Sequence, residues 1–184
     1  MAGSTGAQGA IWVIAETNAD GSLAKSSAEV ATLARTLADA AGATSAGIVV
    51  AADPAAAAKE LAGYVARVVA IAEPDAAGTA WSVVAAQRAA AVLADAAPLA
   101  VLTGAGPDGR DVAGTLGALL QHPTLVNATA VAWVDGGPSV DMSVFGGKLN
   151  TTSTFTDREW GIVTVRPNVV TAEAAASAGT VEQA

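Results

Sequence analysis

The sequence predicts a three-layer α/β domain: a doubly wound, mostly parallel sheet between helical layers, with antiparallel hairpin strands in its last third. Three observations carry this. Short β-rich apolar runs alternate four times with amphipathic, alanine-rich stretches. Those runs are near-continuously apolar, as strands buried on both faces require. After His122-Pro123 the helical pattern stops, and closely spaced β-branched runs follow, separated by Gly and Asp turns.

Ile11-Trp12-Val13-Ile14-Ala15 is the first strand, closed by the Asn and Asp-Gly turn signals of residues 16–21. Ser26 and Ser27 are N-cap candidates for a helix with Val30, Leu33, Ala34 and Leu37 on one face and Gly42 as its terminator. Residues 46–51 (AGIVVA) form a second strand, and Asp53-Pro54 opens a second helix with proline suited to its first position. Residues 66–71 are a third strand, followed by a helix over 79–96 that Pro98 stops. Leu99-Ala100-Val101-Leu102 is a fourth strand and 108–121 a fourth helix. The runs 124–133, 139–145, 149–155 and 160–165 read as hairpin or edge strands, with turns at Gly146-Gly147 and Asp157-Arg158-Glu159. The expected layout is a flexible leader over 1–9, one domain over 10–171 and a linker or tail over 172–184.

Length and composition agree with one folded domain. The chain has 184 residues, 52% of them hydrophobic and 14% charged, which is far from a disordered composition. Mean hydropathy is +0.45, inflated by alanine. A net charge of −8 is the wrong sign for neutralising phosphates, so nucleic-acid binding is not expected. Residues 89–105, the longest apolar stretch, are broken by Asp95 and Pro98, and no membrane insertion is expected. With no signal peptide visible, the expected location is cytoplasmic. The absence of cysteine removes disulfides, thiolate metal sites and cysteine nucleophiles.

Residues 104–111 (GAGPDGRD) place a G-x-G-x-x-G after a strand and before a helix. In a dinucleotide fold that arrangement brings backbone N–H groups to a pyrophosphate. Gly104, Gly106, Asp108, Gly109 and Arg110 are therefore the nucleotide-loop candidates. Two features oppose that role: the motif follows the fourth strand, and Asp108 and Asp111 would stand beside the phosphates. The alternative is structural, with glycines making the turn, Asp108 capping the helix and Asp111 reaching back in a capping-box-like pair. His122, the single histidine, lies at a helix C-terminus where a partial positive charge is favourable. A triad of His122 with Ser143 and Asp141 is conceivable, but no nucleophile elbow supports it. No catalytic residue and no metal site are expected. Trp12, Trp81, Trp133 and Trp160 are scattered and read as packing residues.

Four blocks in one order carry a family resemblance. They are Asp20-Gly21-Ser22-Leu23 with the helix Ala28-Glu29-Val30-Ala31-Thr32-Leu33-Ala34, Asp108-Gly109-Arg110-Asp111-Val112-Ala113-Gly114-Thr115-Leu116, Val144-Phe145-Gly146-Gly147-Lys148-Leu149-Asn150, and Ile162-Val163-Thr164-Val165-Arg166-Pro167-Asn168. Together they resemble the N-terminal domain of electron transfer flavoprotein α subunits. The resemblance implies a seven- or eight-stranded domain of the adenine-nucleotide α-hydrolase-like type. It further implies docking with a β subunit that holds AMP, and FAD carried by a C-terminal domain whose motifs this sequence does not show. The expected role is thus a scaffold in a heterodimeric electron carrier rather than an enzyme, with no cofactor bound by this chain alone. The alternatives are a stand-alone AMP- or ATP-binding domain similar to universal stress proteins and, more remotely, a small hydrolase using His122. The hairpin edge is an open template for a partner or for self-association.

Overall fold

A computed structural model describes residues 9–77, 81–156 and 160–184. The leader residues 1–8, the first residues expected of the third helix and the Asp157-Arg158-Glu159 turn lie outside the described residues. The elements are β1 (Ala10–Ala15), α1 (Lys25–Ala41), β2 (Thr44–Ala51), α2 (Ala55–Leu61), β3 (Arg67–Ala72), α3 (Trp81–Ala94), β4 (Pro98–Gly104), α4 (Pro107–Leu120), β5 (Thr124–Val134), β6 (Gly137–Val144), β7 (Leu149–Ser153), β8 (Ile162–Val165) and β9 (Thr180–Gln183). The strands form one sheet in the order β7-β6-β5-β8-β4-β1-β2-β3-β9. That is nine strands among the described residues, against the seven or eight that the resemblance implies.

The period-two geometry of β1 explains why it is apolar throughout. Ile11, Val13 and Ala15 enter the core beneath α1 and α2, while Trp12 and Ile14 enter the opposite core beneath α3 and α4. β1 pairs in parallel with β2 on one side and β4 on the other. The chain therefore winds outward through β2 and β3, then returns to start a second half at β4. This reversal leaves a crevice beyond the carboxyl ends of β1 and β4.

Three local expectations are corrected. Helix α1 begins after Ala24 without a side-chain cap. Ser27 is instead turned inward, where its Oγ accepts from the Glu16 N–H at 2.8 Å and donates to the Glu16 carbonyl at 3.2 Å. Pro54 precedes α2 rather than opening it, and the Asp53 carboxylate accepts from the Ala55 N–H at 3.1 Å. Asp108 does not cap α4: Gly106 holds the N-cap position without a side-chain bond, and Pro107 fills the first helical position, which needs no N–H. Gly42 ends α1 in the left-handed region, φ 63°, as expected.

The last third divides. β5, β6 and β7 form the expected antiparallel ribbon. β8 does not: it inserts between β4 and β5, parallel to both, with all four residues buried. A strand buried on both faces needs neighbours on both sides, a demand that close spacing along the chain conceals. At the β5–β8 junction Asn127 takes φ 64° and donates its N–H to Thr164 Oγ1 at 2.8 Å. Beyond this bulge Ala128, Val140 and Met142 share a core with Val163, Val165 and α1.

The segment after Asn168, where a linker or tail is expected, runs over α1 and α2. Glu173 exchanges bonds with Thr32, and its carbonyl accepts from Arg35 Nη2 at 2.8 Å. Asn168 donates its N–H to Glu29 at 2.9 Å and accepts from Lys25 at 2.7 Å. The chain then adds β9 in parallel to β3. Gly179 permits this approach, since a β-carbon there would stand 2.1 Å from the Val65 carbonyl oxygen.

Candidate functional site: an acidic crevice closed by Glu16

The crevice at the switch point is a cavity of about 580 Å³ whose walls include Glu16, Asp20, Asp53, Asp108 and Trp81. No lysine or arginine is among its described lining residues. β1 delivers Glu16 one residue beyond its last core position, and the start of α1 fixes that backbone through Ser27 and through the Ala24 N–H at 3.0 Å. The side chain crosses to the loop after β4. Its Oε1 lies 2.8 Å from where a β-carbon on Gly104 would stand and 2.7 Å from the same point on Gly109; Oε2 is 3.7 Å from that of Gly106. Three of the nucleotide-loop candidates therefore face one carboxyl group.

That carboxyl is poorly served. Oε1 is buried without a hydrogen-bond partner. Its pKa is raised from the ordinary glutamate value, first by burial, which disfavours the charged form, and second by the nearby Asp108 carboxylate. Asp108 itself sits in the first turn of α4, where the helix dipole favours an acid. Asp20 is the opposite case. In the turn that Gly21 completes at φ 82°, its carboxylate accepts from the Ser22 hydroxyl at 2.5 Å and the Ser22 N–H at 3.0 Å. Those two bonds hold its pKa below the usual aspartate value.

The glycines have a packing reason as well. A β-carbon on Gly109 would stand 2.1 Å from the Gly104 carbonyl oxygen, so α4 starts pressed against the end of β4. Thr103 reinforces this by donating Oγ1 to the Gly109 carbonyl at 3.1 Å. Arg110 remains outside the group, an exposed side chain whose Nε reaches back to the Gly106 carbonyl at 3.4 Å. The space before this loop is thus occupied by the Glu16 carboxyl, with Asp108 close by. Sequence reasoning missed Glu16; the available signal was an acid directly after a buried strand at the end where such folds place ligands.

The His122 backbone N–H donates to the Gly117 carbonyl at 3.1 Å at the end of α4, while its side chain joins no triad. Gln121 ends the helix at φ 57°, and the imidazole stacks on Trp160 with centroids 3.7 Å apart. Its Nδ1 lies 3.0 Å from the Trp160 carbonyl oxygen, so Nδ1 carries the proton and faces a carbonyl where a triad needs a carboxylate. Asp141 is instead bonded to Thr152 Oγ1 at 2.6 Å. Trp12 is a core residue, 1% exposed, with the Arg67 guanidinium 5.6 Å from its ring. Trp81 donates its indole N–H to the Val50 carbonyl at 2.9 Å. Trp133 and Trp160 line a second cavity of about 350 Å³ between Pro98 and the β5–β6 turn. Among the described residues no group of three or more acids or histidines could hold a metal ion, and no helix is long and apolar enough to cross a membrane.

Comparison with curated protein sequences finds no match at a significant level. A family model does match: the electron transfer flavoprotein domain, over residues 11–184. The match takes in both halves of the wound sheet and continues through the hairpin ribbon to β9. The chain therefore belongs to the electron transfer flavoprotein domain family.

Proposed function

We propose that the chain is an α-type N-terminal domain that docks with a β subunit and a flavin-bearing partner, scaffolding electron transfer without carrying the electrons itself. The observation that supports this reading best is the crevice. Family members work with a flavin, yet the ligand-sized opening at the switch point presents Glu16, Asp20, Asp53 and Asp108. The pyrophosphate of FAD does not fit there, because its charges would stand beside unneutralised carboxylates in a partly dry site. The flavin is then held outside this fold unit, and so is AMP. What remains for this chain is a rigid doubly wound body and exposed surface, which is the equipment of a docking module.

The test is to mix the purified chain with an electron transfer flavoprotein β subunit and a flavin-bearing α domain, and to resolve the products by native mass spectrometry. The expected result is a stoichiometric complex containing FAD, with neither FAD nor AMP retained by the chain alone. Stoichiometric FAD on the isolated chain, or no complex with either partner, overturns the reading. The rival reading, an AMP- or ATP-binding domain, has in its favour the size of the crevice and its place at the switch point. Saturable AMP binding by the isolated chain that is lost on Gly106→Val would establish the rival.

A further inference from the structure

The two margins of the sheet differ in chemistry. β9 carries Glu182, whose carboxylate meets Arg67 of β3 at 3.0 Å, and charge on an outermost strand deters the addition of another strand. β7, at the other margin, reads Leu149-Asn150-Thr151-Thr152-Ser153, with no charge and no proline. Among the described residues no strand pairs with its outer side. Alternate residues there turn N–H and C=O groups outward, and only extended backbone can pair such a row.

Apolar surface adjoins this edge. Leu149 is 49% exposed and Phe145 78%. Phe145, Gly146 and Gly147 all have positive φ, at 52°, 66° and 87°. A bulky side chain in that region is strained, and here the strained turn presents an aromatic ring to solvent instead of to the core.

We propose that β7 pairs with β7 of a second copy, antiparallel, about a two-fold axis at Thr151. The segment is its own complement. Centred there, Leu149 faces Ser153, Asn150 faces Thr152 and Thr151 faces itself, so β-branched hydroxyl residues meet and no like charges do. Charge selects the same place. With a net charge of −8, two copies repel over most of their surface, whereas this strand is uncharged and is preceded by Lys148. The pairing goes beyond the docking role and is independent of it.

The experiment is sedimentation velocity of the full chain over a range of concentrations. The wild type is expected to show a reversible dimer. Thr151→Lys and Thr151→Glu, each of which sets like charges opposite one another at the axis, should each weaken association by about tenfold or more. An equimolar mixture of the two should restore it, and added salt should remove the restoration. Leu149→Glu is a second disrupting variant should either Thr151 variant unfold, as read by its Tm. A wild type that stays monomeric at every concentration, a dimer that persists in each variant alone, or a mixture of folded variants that fails to associate overturns the proposal.

Discussion

Glu16 and Gly109 share one space: the Glu16 Oε1 atom lies 2.7 Å from where a β-carbon on residue 109 would stand. The same β-carbon would be 2.1 Å from the Gly104 carbonyl oxygen, so two independent groups forbid a side chain there. Gly109→Ala should destabilise the domain by about 1–3 kcal/mol, the usual cost of overpacking, as read by urea unfolding. A stability equal to that of the wild type would show that α4 can slide off β4 freely.

Glu16 also makes stability depend on pH in an unusual direction. Its folded-state pKa is raised, so the folded state holds the proton more tightly than the unfolded chain. Its contribution is fully present below the unfolded value, near the ordinary glutamate value of 4.5, and is lost as pH rises through the folded value. Glu16→Gln should therefore be more stable than wild type at neutral pH, with the gain vanishing in acid. Urea titrations of both proteins across that range test this. Asp20 runs the other way: its lowered pKa gives stability that is lost as pH falls, and its full exposure keeps that effect small.

Gly179→Ala should detach β9. The added carbon would meet the backbone of Val65 and Ala66, and the parallel register of β9 on β3 has nowhere to shift. The expected signature is local. Hydrogen exchange should quicken in β3 and in residues 175–184, with the β1–β4 core unchanged, because an edge strand can open without global unfolding. Exchange that quickens equally everywhere would place β9 within the cooperative core instead.

His122→Ala should cost about 0.5–1.5 kcal/mol through loss of the stack on Trp160 and should alter Trp160 fluorescence. Because Nδ1 faces a carbonyl, the variant should lose no hydrolytic rate against ester probes. A rate that disappears with His122 would restore the hydrolase reading.

Much of the architecture was legible along the chain because each signal was local. The buried period of β1, the faces of the helices and the left-handed residue after α1 follow from residues within one turn or strand of one another. β8 shows where that stops: Ile162-Val163-Thr164-Val165 reads as a strand from composition, but its parallel place between β4 and β5 depends on partners about forty and sixty residues upstream in the chain. The stretch after Asn168 reads as a tail because its small polar residues carry no core pattern; what seats it is its own backbone, bonded to α1 side chains, to Ala62 and Gly63 after α2 and to β3, and a segment's backbone bonds leave no trace in its side-chain types.

The site divides in the same way. The sequence by itself determined that a glycine-rich turn stands between β4 and α4 with acids beside it, and that the chain is acidic, with a net charge of −8. Only the tertiary structure decided what the turn faces. Winding the sheet back at β4 sets the end of β1 beside the loop eighty-eight residues later, from Glu16 to Gly104, and fills the space before the glycines with the Glu16 carboxyl. Charge and clearance are three-dimensional quantities, so the spacing of the motif along the chain could not reveal that the protein's own Glu16 carboxyl stands against its glycines.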